Sequence, residues 1–166
     1  MVDKKGVIVR FYRFKNRLKE KTAGLAPGAA TISADALAEA EQALSKMSED
    51  YPDWVQGLIV KLQEQHGRSV DTPEKRREFM EEISRIAHDM KGQGGTFGYP
   101  LITDFADSLY SLTQGRKEVS DNLVELVKSH VDAMRAVIRG RVSGDGGEIG
   151  KKLTQTLNEA IDKYSE

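Results

Sequence analysis

The 166-residue chain contains no cysteine. Disulfides and thiolate metal sites are therefore excluded. Proline is scarce, at four residues, so few positions are barred from a helix interior. No apolar run approaches the ~18 residues of a membrane span. No Gly-x-Ser-x-Gly elbow is present, which leaves nucleophilic hydrolysis without support. The glycine-rich run 140–147 lacks the Lys-Ser/Thr of a Walker loop and no strand precedes it, so it reads as a linker. Without an ATP-binding motif the chain is not expected to be an ATP-dependent kinase. The di-iron bundle pattern needs Glu-x-x-His on two helices, and the chain has none.

What is present is helical periodicity. The composition, 39% hydrophobic and 31% charged, suits one globular domain with a real core. Ser33 or Asp35 can cap a helix carrying Leu37, Ala40, Leu44 and Met47 on one side. Tyr51, Trp54, Leu58 and Leu62 continue that spacing past Pro52. Two helices broken near Asp50 are expected, the second ending at Gly67. Asp71 or Thr72 can cap the next, with Pro73 in its first turn. Leu101, Ile102, Phe105, Leu109 and Leu112 mark a further helix that Gly115 ends. Ser120 or Asp121 can cap another with Leu123, Val127, Val131, Met134 and Ile138. Ile149, Leu153, Leu157, Ile161 and Tyr164 mark the last. Short connections favour antiparallel neighbours. The expected fold is all-α: an antiparallel up-and-down four-helix bundle with additional N- and C-terminal helices.

The net charge of −1 conceals an asymmetry. Residues 1–21 hold eight lysines and arginines against two acids, a net +6, which leaves −7 for the remainder. Val7, Phe11, Phe14 and Leu18 give this arm heptad spacing, so a helix docked by its apolar side is favoured over a strand. Arg10 and Arg13 interrupt the apolar segment and argue against a secretory signal. Residues 22–32 read as a linker. The expected division is a basic extension and linker at 1–32 and a helical bundle at 33–166. Membrane-surface or nucleic-acid association through the arm is an alternative source of activity.

The histidines differ. His130 falls within about 20° of the Leu123–Val127–Met134 stripe and reads as a core residue. His66 precedes Gly67, where a cation suits a helix C-terminus. His88 lies about 180° from Phe79 on a helical wheel, away from the stripe of Phe79, Ile83, Ile86, Met90 and Phe97. That stripe predicts a helix reaching Phe97, with Gly98 as its cap and Pro100 barring continuation. Glycine clusters ordinarily mark loops. On the wheel, however, Gly92 and Gly95 follow His88 by one and two turns on its side, and clear a surface for a second protein. Lys91 projects to the same face, where its ammonium can neutralise charge placed on the ring.

His88-Asp89-Met90-Lys91-Gly92, followed by Thr96-Phe97-Gly98 and Leu101, resembles histidine-containing phosphotransfer (HPt) domains. Their pattern is His-x-x-Lys-Gly, then a glycine six residues later and a further amphipathic helix. His88, Lys91, Gly92 and Gly98 match. The sequence departs at Gln93-Gly94-Gly95, where small residues such as Ser or Ala are commoner. The resemblance implies a helical bundle in which His88 takes a phosphoryl group from a receiver-domain aspartate, through Nε2, and passes it to another receiver. Lys91 would stabilise phosphoryl charge. Glu81, Ser84, Arg85, Gly92 and Gly95 would line the contact, with Gly98 structural. Partners would be receiver domains of hybrid histidine kinases and response regulators, not nucleic acid. The chain would bind no cofactor or metal, because the receiver brings Mg. A cytoplasmic monomer is expected. A non-catalytic bundle adaptor with His88 unused is the alternative.

Overall fold

Ser33 Oγ accepts the Ala36 amide at 3.1 Å, satisfying one of the free donors of a helix start. From this cap α1 runs Ala34–Asp71. The computed structural model describes Ser33–Tyr164, and among these residues every regular element is helical. A 3-10 turn, Pro73–Lys75, leads into α2 (Arg76–Lys91). There follow α3 (Pro100–Thr113), α4 (Asp121–Arg139) and α5 (Gly147–Tyr164). The chain divides into two units, Met1–Ala40 and Glu41–Glu166, and the core and every site described lie in the second. The docked arm expected at 1–21 and the linker at 22–32 lie outside the described residues.

Several expected boundaries move. Instead of breaking near Asp50, α1 continues through Pro52. Pro52 cannot donate to the Ser48 carbonyl and costs about 3 kcal/mol inside a helix. Tyr51, Val55, Ile59 and Leu62 are all buried along one side, and each contributes about 1.5–3 kcal/mol. That burial outweighs one missing bond. The same helix carries Gly67 in its interior instead of ending there, and stops at Asp71. Leu37, Leu44 and Met47, expected on a packed side, are exposed, as are Trp54 and Ile149.

The remaining helices follow their apolar patterns more closely. α2 packs on α3, α3 on α4, and α4 on α5. Met80, Ile83, Ala87 and Met90 fill the inner side of α2, while Phe79 is only half-buried. Ser120 Oγ accepts the Leu123 amide at 3.2 Å and caps α4. Gly115, at φ +65°, takes the left-handed conformation just beyond α3. Arg76 joins three elements: Nε donates to the Ser69 carbonyl of α1 at 3.0 Å, and Nη1 meets Asp121 of α4 at 2.6 Å. It thereby sets the start of α2.

Leu62→Ala should lower the unfolding free energy by about 2–5 kcal/mol, since Leu62 is fully buried. Val60→Ala, at an exposed position of the same helix, should stay within about 0.5 kcal/mol. Urea denaturation of the two variants checks this; equal losses would contradict the assignment of the inner side.

Candidate functional site

The buried stripe of α2 turns His88 outward. His88 is exposed, three residues before the end of its helix. Its ring meets the Tyr110 ring of α3, with centroids 5.1 Å apart and planes at 52°. Lys91 also comes to Tyr110, its Nζ lying 4.4 Å from the ring centroid. The same Nζ donates to Asp107 Oδ1 at 2.9 Å. Tyr110 is thus the shared neighbour of the imidazole and the ammonium. The Lys91 side chain is 29% exposed and Asp107 57%, so the ion pair contributes on the order of 0–1 kcal/mol to folding. Its chief effect is to hold the ammonium in one place.

Other expected site residues separate into exposed and buried. Glu81 is exposed and accepts from Arg77 Nε at 3.0 Å. Arg85 is exposed and bonded to Glu82, with Asp89 a more distant partner at 3.7 Å. These two acids surround the guanidinium, and the bond to Glu82 raises its pKa further. Ser84 does not belong to this surface: it is 8% exposed and turned into the protein. The periodicity of α2 puts Ser84 one residue from Ile83, on the edge of the inner stripe.

The helix does not reach Phe97. It ends at Lys91, and residues 92–98 form consecutive turns before Pro100 opens α3. Gly94 explains why. A Cβ there would stand 2.6 Å from the Tyr99 carbonyl oxygen and 2.8 Å from the Thr103 amide nitrogen, both backbone atoms. The Tyr99 amide donates to the Gly94 carbonyl at 2.8 Å, and the Gly95 amide donates to Thr103 Oγ1 at 2.9 Å. The glycine segment is therefore a turn closed tightly onto the start of α3. Gly98, at φ +83°, lies in this turn instead of capping a helix at Phe97. Phe97 owes its apolar character to Tyr51 of α1, on which it stacks at 4.9 Å.

Gly92 and Gly95 remain exposed. A Cβ at either would meet only one atom, 3.9 Å away, in ordinary contact. Beside Gly92 lies an open groove of about 580 Å³, with Met47, Asp50, Tyr51, Trp54 and Phe97 in its walls. Burial, with Tyr99 nearby, pushes the Tyr51 hydroxyl from 10.0 up to about 12, so it stays neutral.

Neither of the other histidines is exposed. His130 is fully buried; its Nδ1 lies 2.7 Å from the Leu126 carbonyl and its Nε2 2.9 Å from Ser108 Oγ. A carbonyl only accepts, so Nδ1 carries the proton and Nε2 accepts from the serine. Burial lowers the His130 pKa, with the Leu126 bond opposing it. His66 is half-buried within α1, not at a helix end. Its pKa is lowered chiefly by burial, against the raising field of Glu125.

Among the described residues, fold and site together define a helical protein whose exposed histidine, His88, has a lysine one turn away. The Hpt domain family matches residues 31–137, well over half of the chain, and the chain belongs to that family. Membership implies histidine phosphotransfer in two-component signalling, with receiver domains as the class of partner. No curated protein and no solved structure matches the chain. Among the described residues no helix is long and apolar enough to cross a membrane.

Gly94→Ala should destabilise the protein clearly, because its Cβ meets unyielding backbone, whereas Gly95→Ala should be tolerated. Thermal unfolding distinguishes them; equal midpoints would refute the close approach. A second expectation concerns pH. The folded protein holds His130 and His66 below the ordinary 6.5, so the unfolded chain binds more protons as pH falls. Stability should be full above about pH 6.5 and decline below it. Urea midpoints that rise on acidification from about pH 7.5 to about pH 5.5 would contradict this.

Proposed function

We propose that His88 is the phosphoacceptor, relaying a phosphoryl group between aspartates of two receiver domains. The observation that carries this reading is the contrast among the histidines. His88 is exposed on α2 with Lys91 and Tyr110 beside it, while His130 is enclosed and His66 half-buried. In this reading α1 to α4 are the four helices of the up-and-down bundle and α5 is an added one. The protein acts as a monomer in the cytoplasm, and the basic 1–32 extension stands outside the transfer step.

The neutral imidazole attacks in line through Nε2. The Nε2–P bond forms as the O–P bond of the acyl phosphate breaks. The electron pair leaves with the receiver's carboxylate, and the Nδ1 proton stays on the ring. Such a transfer depends on placement and charge stabilisation more than on covalent assistance. Lys91 supplies one positive charge near the ring. The receiver supplies its own divalent metal, so this chain needs no cofactor. The second transfer reverses these steps onto another aspartate.

Docking uses the exposed surface around His88. Gly92 and Gly95 add no side chain there, which lets a receiver approach the ring closely. Glu81 and Arg85 lie one to two turns earlier on the exposed side of α2 and supply polar contacts at the rim. The groove beside Gly92 continues this surface toward α1.

Incubation with a receiver charged by acetyl phosphate should label the parent chain with acid-labile phosphate, and His88→Gln should abolish the label. Label persisting in that variant would sink the assignment. A folded parent left unlabelled by a panel of receivers would favour the adaptor reading. Gly92→Leu should slow transfer by on the order of tenfold while leaving the unfolding midpoint nearly unchanged, since Gly92 is exposed and a Cβ there makes only ordinary contact. Normal transfer by Gly92→Leu would refute close docking at this position.

A further inference from the structure

The Lys91 ammonium is not free in the resting protein. It is engaged by Asp107, from the neighbouring helix, at 2.9 Å and rests over the Tyr110 ring. Asp107 and Tyr110 stand three residues apart on α3, so one side of that helix presents both to the end of α2. The Tyr110 ring in turn touches His88. A carboxylate, an ammonium, an aromatic face and an imidazole thus form one contiguous set. Only His88 and Lys91 of the four fall in the His-x-x-Lys-Gly segment.

We propose that Asp107 is a positioning residue that acts through Lys91, competing with the phosphoryl group for the ammonium and so keeping phospho-His88 easy to discharge. This rests on His88 being the phosphoacceptor. When Nε2 acquires the phosphoryl group, a second anion is brought near Lys91. The ammonium then divides its attraction between the new anion and the Asp107 carboxylate. Each share reduces the other, so the phosphorylated state is stabilised less than by an unpartnered lysine. Tyr110 limits where the ammonium can go, because its ring lies beneath Nζ and beside the imidazole.

The competition favours neither receiver. It lowers the stability of the intermediate that both share, and an intermediate held too tightly would stall the relay. Asp107 is exposed, and a partly exposed pair contributes little to folding, so removing its charge leaves the protein intact. Asp104 provides a control of equal charge. It too is exposed on α3, one turn earlier.

The test is the equilibrium distribution of phosphate between a charged receiver and the full chain, at concentrations where the two proteins are dissociated. Docking strength does not affect that distribution, so a purely interfacial role for Asp107 would not move it. Asp107→Asn should shift the distribution toward phospho-His88 by roughly fivefold and lengthen the phosphohistidine half-life in the isolated chain. Asp107→Glu should restore the parent value, and Asp104→Asn should match the parent throughout. Circular dichroism confirms that each variant is folded. An unchanged distribution in Asp107→Asn, or a shift toward the receiver, would overturn the proposal. So would an equal shift in Asp104→Asn, which would point to bulk charge, or failure of Asp107→Glu to restore the parent value. A parent chain that takes no label at His88 would overturn the phosphoacceptor reading and this proposal with it. A parent that labels normally while Asp107→Asn leaves the distribution unmoved would overturn this proposal alone.

Discussion

The rotation of α2 about its own axis is held by Met80, Ile83, Ala87 and Met90, none more than 1% exposed. Turning the helix by one residue would bring these side chains toward water, at about 1.5–3 kcal/mol for each large one. It would also draw the charged face inward. Burial of this stripe in the shared core therefore determines which residues of α2 meet solvent. His88 is outward because its neighbours in the stripe cannot be. Arg76 secures the start of the same helix through Ser69 and Asp121.

At the other end of α2 the constraint is steric. Gly94 lies against the backbone of Tyr99 and Thr103, and the turn closes with hydrogen bonds to both of those residues. This short closure brings the last turn of α2 against the face of α3 that carries Asp107 and Tyr110. Lys91 can then reach Asp107, sixteen residues away in sequence, at 2.9 Å. The glycines in this segment perform two separate tasks. Gly94 permits the fold to close, whereas Gly92 and Gly95 leave the outer surface low.

Much of this was legible in the residue pattern, for reasons that mark its limits. The stripes of α3 and α4, the Ser120 cap and the Gly115 stop are local features, and local rules describe them. The outward His88 and the enclosed His130 followed from helical angles alone. The single α1 was not legible, because a helical pattern around a proline fits either a break or continuity. Burial of Tyr51, Val55, Ile59 and Leu62 decides between them. Phe97 matched the α2 period by coincidence; its apolar character serves Tyr51 of another helix. Ser84 was misplaced because it sits at the edge between the two faces. Asp107 and Tyr110 were invisible for a different reason. Their spacing marks one face of α3, but nothing in the sequence states which face meets His88 and Lys91.

Position and exposure distinguish His88 from His66 and His130. Site-resolved mass spectrometry of the chain, phosphorylated by a charged receiver and kept at alkaline pH to preserve the N–P bond, tests that distinction directly. The phosphoryl group should be found on His88 and on neither His66 nor His130. Phosphate localised to His66 or His130 in the folded protein would contradict it.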